Sequence, residues 1–422
     1  MLVRRPPVPA TSGSFTARIL GHLGDLDPIN SLTNAGAATD EGRFSYRLLT
    51  SFPQWYKSTQ SKTVLVHLGN RKMLVSKDPR LYKQALGQYR NHFETSKTIR
   101  SAVGYFAPKN LFVQEHEDWS RMRKVLVKSI GEQSLETIPK YVAKSVDKMT
   151  MQLQHENGSN LTVVPEKYFP KLTFDIFHQI MYDWDPNTIC NDESTISLLK
   201  NSLIMSEIMG ERILLPMPLL WKLPLKRNIM AQQARDELLE MTVKLVNDRR
   251  ALCHAGEVTE DNKMFLDFFI AAAEEKRVSE QELYDNIMGL FIAAFDTTSN
   301  TLTMLLNQLA VNDRVQTKLR QELLNHFPNG ASDIAKATTK QLEAVTYLQL
   351  VIDEVFRLTP TASVVNRLCV KDCVIDGYQF RAGDEFLIDG GNAARDPENF
   401  NGQSDLDIFR PERFNEKSYD NS

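Results

Sequence analysis

The spacing of apolar residues separates a long helical region from shorter regions of strands. Between residues 115 and 325, apolar positions recur mostly every 3.6 residues, as they do along one face of an α-helix. Proline-containing stretches near residues 165–170 and 215–224 interrupt this pattern, because proline does not fit a helix interior. The pattern therefore predicts several long helices joined by loops.

Strands are predicted on both sides of this helical region. Residues 62–76 (KTVLVHLGNRKMLVS) are rich in β-branched residues and carry Gly-Asn at residues 69–70, which predicts a β-hairpin. Residues 364–392 return to short extended segments with a turn at the Asp-Gly pair of residues 376–377. Taken with the helices, these segments predict a mainly α fold with a small β subdomain.

Composition narrows the class of protein. Residues 1–45 are rich in Pro, Gly, Ser and Thr, which predicts an extended leader before a single domain over residues 46–422. The 50 Lys and Arg residues nearly balance the 53 Asp and Glu residues. Because phosphate binding requires clustered positive charge, this balance argues against a nucleic-acid-binding protein. No apolar stretch has the length of a membrane span, so we expect no transmembrane anchor in this chain.

One predicted helix breaks its own pattern. Residues 283–311 are apolar around much of the helix circumference, which is typical of a helix buried deep in a protein. The middle of this helix carries DTTSNT, and carboxyl or hydroxyl groups are costly to bury without partners. We expect Thr297 to donate a hydrogen bond to the Ala293 carbonyl and to open the helix beside Asp296, so that Asp296 and Thr297 can relay protons. A satisfied polar patch at a helix bend is the alternative.

Two further pairs of residues share a helical face. Glu354 and Arg357 are three residues apart on an otherwise apolar helix, which allows a buried ion pair, although exposed pairs at this spacing are common. Trp119 and Arg123 are four residues apart. Their indole N–H and guanidinium can both point toward one carboxylate, or they can form a stacked pair at the surface.

Taken in order, these segments resemble the cytochrome P-450 family of haem-thiolate monooxygenases from about residue 20 onward. Residues 293–299 (AAFDTTS) resemble the oxygen-groove motif of the family, and residues 354–357 (EVFR) resemble its ExxR motif. Residues 409–414 (FRPERF) resemble its PERF motif, and residues 119–123 (WSRMR) its WxxxR element. The resemblance implies the helical prism of this family, with haem b as the cofactor.

The resemblance also implies roles for the matching residues. Asp296 and Thr297 would deliver protons to dioxygen at the haem. The structural ion network that fixes the segment under the haem would consist of Glu354, Arg357 and Arg413. The residues that bind the haem propionates would be Trp119, Arg123 and Arg367.

The thiolate ligand of the haem is not assigned to any residue. The family places its FxxGxRxCxG haem loop and a last helix after the PERF motif, whereas only residues 415–422 follow that motif here. None of the four cysteines has the Phe-Gly-Arg surroundings of that loop; they are Cys190, Cys253, Cys369 and Cys373. Without an axial thiolate, we expect the chain as written to bind haem weakly and to lack monooxygenase activity.

Two hypotheses about function follow. The first is a haem-dependent monooxygenase that uses NADPH and dioxygen to hydroxylate a lipophilic small molecule, such as a lipid or secondary metabolite, and whose chain is incomplete here. The second is a catalytically inactive relative that acts as an apolar-ligand-binding or scaffold protein.

The first hypothesis implies a partner and a location. The partner would be an NADPH-dependent flavoprotein reductase, and the basic stripe of Arg121, Lys124 and Lys128 could dock it, unless this stripe is only a solvated face. The resemblance implies a location on the cytoplasmic side, with peripheral attachment to the endoplasmic reticulum membrane as one option.

Overall fold

The computed structural model describes residues 6–11, 44–68, 71–129, 132–158, 163–214, 220–259 and 263–415. The predicted turn at residues 69–70 and most of the predicted leader lie outside these ranges. The chain forms two compact units. The first unit comprises residues 1–105, 207–230 and 362–407, and the second comprises residues 106–206, 231–361 and 408–422. The single domain expected over residues 46–422 stays a prediction.

Helices make up most of the described structure, so the predicted fold class is confirmed. In chain order, the helices between residues 44 and 157 are α1 (Phe44–Thr59), α2 (Pro79–Leu86), α3 (Lys97–Phe106), α4 (His116–Ser129) and α5 (Glu132–Asn157). The helices between residues 165 and 274 are α6 (Pro165–Tyr182), α7 (Glu193–Leu214), α8 (Lys226–His254) and α9 (Phe265–Glu274). The helices between residues 280 and 393 are α10 (Glu280–Val311), α11 (Asp313–His326), α12 (Ala331–Ile334), α13 (Thr339–Glu343), α14 (Thr346–Leu358) and α15 (Gly390–Ala393).

The strands all belong to the first unit. They are β1 (Thr63–Leu68), β2 (Arg71–Ser76), β3 (Phe93–Thr95), β4 (Val364–Cys369), β5 (Cys373–Ile375), β6 (Tyr378–Phe380) and β7 (Glu385–Asp389). One sheet has the order β1-β2-β7-β4-β3, in which β2 and β7 run parallel and the other neighbours run antiparallel. The predicted hairpin of β1 and β2 is therefore confirmed.

A second, two-stranded sheet confirms the predicted Asp-Gly turn. Strands β5 and β6 pair antiparallel, and Ile375 lies opposite Tyr378. Between them Asp376 has a φ of 47° and Gly377 a φ of 83°. Two successive positive φ angles are the requirement of a type I′ hairpin turn, and Asp-Gly is among the sequences that meet it at low cost.

Helix α10 runs through the second unit and carries the candidate site. It begins with a capping box: Ser279 Oγ accepts from the Glu282 N–H at 3.2 Å, and the Ser279 N–H donates to Glu282 Oε2 at 2.8 Å. Helix α6 packs along α10 through aromatic rings, with Phe174 lying 5.4 Å from Phe291 and 6.1 Å from Phe295 between ring centroids. These contacts fix the buried side of α10.

Candidate active site

The centre of α10 exposes a face of small and hydroxyl-bearing side chains. Ala294, Thr297 and Thr298 are exposed, whereas Phe295 and Ser299, on the opposite side, are buried. The sequence predicts a deeply buried helix with a polar centre, and most side chains from Glu282 to Ile292 are buried, whereas the polar centre is exposed on one side. The reason is that α6 covers only one side of the helix at this level. The open side is available to a ligand.

Asp296 stands at the edge of this face and accepts hydrogen bonds from neutral donors. Its carboxylate is half-buried. Ser206 Oγ, from helix α7, donates to Asp296 Oδ2, and Asn300 Nδ2 donates to Asp296 Oδ1 at 3.2 Å. The sequence does not predict the contact of Ser206, because a serine within a long helix carries no local signal of a contact 90 residues away. No fixed positive charge is among these partners, so the carboxylate can exchange them without breaking an ion pair.

The backbone carbonyls at this level accept unusual hydrogen bonds. Thr297 Oγ1 donates to the Ala293 carbonyl at 2.6 Å, as the sequence predicts. Thr173 Oγ1, from α6, donates to the Phe295 carbonyl at 2.9 Å. Side-chain hydroxyls that bond helix carbonyls compete with the helix's own ladder of hydrogen bonds, so this segment is the part of α10 best able to open.

The structure brings Glu354, Arg357 and Arg413 together in the second unit. Glu354 Oε2 accepts from Arg357 Nε at 2.7 Å, and Glu354 Oε1 accepts from Arg413 Nε at 3.0 Å. The Arg410 backbone N–H also donates to Glu354 Oε1 at 2.9 Å. All three side chains are buried, and Glu354 and Arg413 are 0% exposed. The sequence allows either a buried or an exposed Glu354–Arg357 pair, and the structure shows that the pair is buried.

Trp119 and Arg123 contact each other on α4. The Arg123 guanidinium lies 5.2 Å from the centre of the Trp119 ring, and both side chains are exposed. This is the stacked surface pair, the second of the two arrangements that the spacing allows. Arg123 forms no ion pair with any residue in the described ranges, so its donors are available to a carboxylate. Arg367 belongs to the first unit, on β4, where it donates to the Asn366 carbonyl at 3.2 Å.

The basic stripe on α4 is smaller than predicted. Arg121 donates to Asp118 at 3.0 Å and is also paired with the buried carboxylate of Glu282. These hydrogen bonds, above all the one that Arg121 donates to Glu282, raise the pKa of Arg121 and compensate its charge locally. The stripe of three charges is therefore reduced to Lys124 and Lys128, both exposed.

Comparison with known proteins identifies the family. The family model described as Cytochrome P450 matches residues 43–422. The chain belongs to the cytochrome P450 family. This family consists of haem-dependent monooxygenases, and the family given by the sequence motifs is confirmed.

Curated relatives are distant but match most of the chain. Protein LUTEIN DEFICIENT 5, chloroplastic, of Arabidopsis thaliana is 23% identical over 363 residues, which cover 82% of this chain and 58% of that protein. Cytochrome P450 3A6 of Oryctolagus cuniculus is 25% identical over 366 residues, covering 84% of this chain and 70% of that protein. Cytochrome P450 94B1 of Arabidopsis thaliana is 23% identical over 384 residues, covering 88% and 72%.

The haem of the P450 family fits part of the described site. The open face of α10 offers small side chains to a flat apolar group, and Arg123 offers free donors to a propionate. The cysteines do not fit the axial position. Burial raises the pKa of Cys369 to about 12 and also raises the pKa of Cys373 and Cys253, whereas a ligand to iron must be a thiolate. Cys190 is exposed in a short turn.

Within the described ranges, no helix combines the length and the apolar character needed to cross a bilayer. The proline-containing stretch near residues 215–224 lies partly outside the described residues.

Proposed function

We propose that this protein is a haem-dependent monooxygenase that hydroxylates a lipophilic small molecule, using dioxygen and electrons that a flavoprotein reductase takes from NADPH. Membership of the cytochrome P450 family supports this reaction class. The observation that carries the proposal is the open centre of α10, where an acid with neutral partners stands beside exposed threonine hydroxyls.

Asp296 and Thr297 are the proposed proton-transferring groups. Asp296 holds hydrogen bonds from Ser206 and Asn300, and either donor can be replaced by a water that brings a proton from solvent. Thr297 Oγ1 donates to the Ala293 carbonyl, and rotation about its Cα–Cβ bond turns the hydroxyl from this carbonyl to the open face. The two side chains would thus pass a proton from Asp296 to a reacting group above Thr297.

Two other groups of residues have proposed supporting roles. When bound, haem would supply the iron centre for oxygen activation, and the residues proposed to hold its propionates are Trp119, Arg123 and Arg367. The network of Glu354, Arg357 and Arg413 is proposed to fix the chain segment that would support the bound haem. Its burial and its multiple hydrogen bonds support a structural role rather than a direct part in the reaction.

The first test uses the protein purified from its natural source. We expect the reduced protein to show the Soret band of thiolate-bound haem in the presence of carbon monoxide. A folded native protein that carries no haem would overturn the proposal.

The second test separates Thr297 from its neighbour. In the haem-containing protein, Thr297→Ala should raise the share of NADPH electrons released as hydrogen peroxide several-fold. The reason is that proton delivery is misdirected or delayed when the Thr297 hydroxyl is absent. Thr298→Ala is the matched control, since Thr298 is exposed on the same face. An equal effect of the two substitutions would remove Thr297 from proton transfer.

A second candidate function is an apolar-ligand-binding or scaffold protein without catalysis. The observation that favours it is the environment of the cysteines, since burial raises the pKa of Cys369 to about 12 instead of favouring the thiolate. This function predicts that the native protein folds and binds apolar ligands without haem. A native protein that is molten in the absence of haem would exclude it.

A further inference from the structure

Two of the four cysteines come together in the first unit. Cys369 ends β4 and Cys373 begins β5. In the two sheets Cys369 lies opposite Phe93, and Cys373 lies opposite Phe380. The rings of Phe93 and Phe380 contact each other, with their centroids 5.3 Å apart. Cys369 belongs to the apolar cluster that contains both rings, and Cys373 packs against that cluster. The fold therefore brings the two cysteines to the same place.

The two thiols also contact each other directly. Both cysteines are reduced, and a hydrogen bond joins their thiols. Cys369 Sγ in addition donates to the Lys371 carbonyl at 3.2 Å, so its side chain points toward the connection that leads to Cys373. A disulfide requires Cβ atoms within about 4.5 Å of each other, and thiols in hydrogen-bond contact need little movement to reach this distance.

Backbone hydrogen bonds hold both ends of the connection between β4 and β5. The Cys369 N–H donates to the Asp384 carbonyl at 2.8 Å, and the Cys369 carbonyl accepts from the Gly383 N–H at 2.8 Å. Next to Cys373, the Asp372 carboxylate accepts from the Ala382 N–H at 2.8 Å. These bonds keep the two thiols close together while the first unit is folded.

The two thiols differ in access and in acidity. Cys369 is 0% exposed, whereas Cys373 is half-buried. Burial raises the pKa of both thiols, that of Cys369 to about 12, and the hydrogen bond between them raises the pKa of Cys369 further but lowers that of Cys373. Because the thiolate is the form that attacks a disulfide, Cys373 is the thiol that reacts first.

We propose that Cys369 and Cys373 form a reversible disulfide by exchange with low-molecular-weight disulfides such as oxidised glutathione. Cys373 is the attacking residue, and Cys369 is the residue that completes the bond. The disulfide would join the five-stranded sheet to the two-stranded sheet of the first unit. This modification requires neither haem nor the proposed reaction.

The exchange has two balanced steps. The Cys373 thiolate attacks one sulfur of oxidised glutathione, which breaks that S–S bond and releases one glutathione thiolate. Cys369 then gives its proton to water, and its sulfur attacks the Cys373 sulfur of the mixed disulfide, which releases the second glutathione. Two protein thiols are thus oxidised, and one molecule of oxidised glutathione is reduced to two thiols.

The test uses the folded full chain incubated with oxidised glutathione. Remaining thiols are blocked by alkylation, and the protein is digested with trypsin. Cleavage after Arg367, Lys371 and Arg381 places Cys369 and Cys373 in separate peptides, residues 368–371 and 372–381. We expect mass spectrometry to find these two peptides joined, and to find them separate after the folded protein is returned to reduced glutathione. Joined peptides that appear only in urea, or not at all, would overturn the proposal.

Single variants test the order of attack. In Cys369→Ser the exchange should stop at the mixed disulfide between Cys373 and glutathione, and the yield of this adduct should rise several-fold over wild type. In Cys373→Ser the buried Cys369 should stay reduced. Circular dichroism checks that both variants are folded. A glutathione adduct on Cys369 in Cys373→Ser, without one on Cys373 in Cys369→Ser, would overturn the proposed roles.

Cys190→Ser is the matched control. Cys190 is exposed in a short turn of the second unit, so oxidised glutathione reaches its thiol as well. Its removal should leave the yield of the joined peptides unchanged. If wild type instead gives equal amounts of peptides that join Cys190 to Cys369 or to Cys373, the exchange is random, and the proposed pairing is wrong.

Discussion

Two carboxylates of the second unit, Glu354 and Asp296, lie in opposite environments. Glu354 is 0% exposed and accepts from two guanidinium groups and one backbone N–H. Asp296 is half-buried and accepts from a serine hydroxyl and an asparagine amide. The first carboxylate is enclosed by fixed charges, whereas the second has neutral donors that water can replace.

This difference separates a structural acid from a chemical one. Removing Glu354 would take away the carboxylate that pairs with two buried guanidinium groups, so its ionisation is tied to folding. Removing the partners of Asp296 would leave a carboxylate that solvent can reach. Proton transfer requires a group that can change its partners within a reaction cycle, and of the two only Asp296 meets that requirement.

The largest expected effect is the loss of the enclosed carboxylate. Glu354→Gln keeps the shape of the side chain but removes the negative charge that pairs with the buried Arg357 and Arg413, so the free energy of unfolding should fall by about 3–5 kcal/mol. Urea denaturation followed by circular dichroism measures this change. The control is Asp353→Asn, one residue earlier on α14, where the carboxylate accepts from Gln349 Nε2 at 2.9 Å.

Asp353→Asn should change stability by less than about 0.5 kcal/mol, as is usual for a substitution near the surface. Similar losses in Glu354→Gln and Asp353→Asn would mean that the enclosed network contributes no more than an ordinary surface charge. The proposed structural role would then be wrong.

The next effect concerns an enclosed group that titrates. His178 on α6 is fully buried among Phe174, Trp184 and Phe291, and this burial lowers its pKa from 6.5 to about 4. The unfolded chain therefore binds a proton to His178 at a higher pH than the folded protein does. The contribution of neutral His178 to stability is fully present above pH 6.5 and is lost as the pH falls toward 4.

Between pH 7 and pH 5 this linkage should cost about 2 kcal/mol of unfolding free energy. His178→Phe should lack that share of the pH dependence, because phenylalanine fits the aromatic cluster without a titrating group. The exposed His326 is the control position, and His326→Phe should keep the wild-type slope. Parallel pH profiles for wild type and His178→Phe in urea denaturation would contradict the assignment.

The buried half of α10 gives a third, smaller effect. A Cβ added at Gly289 would lie 3.2 Å from Asn110 Cβ and 3.3 Å from Asn110 Cγ, so Gly289→Ala should destabilise the protein by about 1–2 kcal/mol. Gly210 on α7 has no atom within 4 Å of its added Cβ. Gly210→Ala should therefore stabilise the protein by about 0.5–1 kcal/mol. Thermal denaturation of the two variants should give opposite shifts, and shifts of the same sign would refute the tight packing at Gly289.

The comparison also shows what the sequence can predict. Glu354 and Arg357 are three residues apart on one helix, so their contact follows from helix geometry, and the Thr297 bond to Ala293 follows in the same way. The long helices and the hairpins follow from periodicity and turn residues. These are all local relations between neighbours in the sequence.

The remainder of the site depends on tertiary packing. Ser206 and Thr173 reach α10 from other elements, and nothing in their local sequence marks these contacts. The exposure of Thr297 and Thr298 could not be predicted either, because the apolar pattern of α10 does not reveal that one side of its centre is left uncovered. The involvement of Arg413 with Glu354 followed only from the family resemblance, since the two residues are 59 positions apart.

The smallest expected effect tests the exchangeable acid directly. A double-mutant cycle of Ser206→Ala and Asp296→Ala measures the coupling between the two side chains, which should be about 1 kcal/mol, as for one net hydrogen bond to a carboxylate that water also reaches. Urea denaturation of the two single variants and the double variant gives this value. Ser202→Ala combined with Asp296→Ala is the control cycle, because Ser202 lies one turn earlier on α7 and donates to the Leu198 carbonyl of its own helix. A coupling as large as the loss in Glu354→Gln would place Asp296 with the enclosed carboxylates and would remove the physical basis for its part in proton transfer.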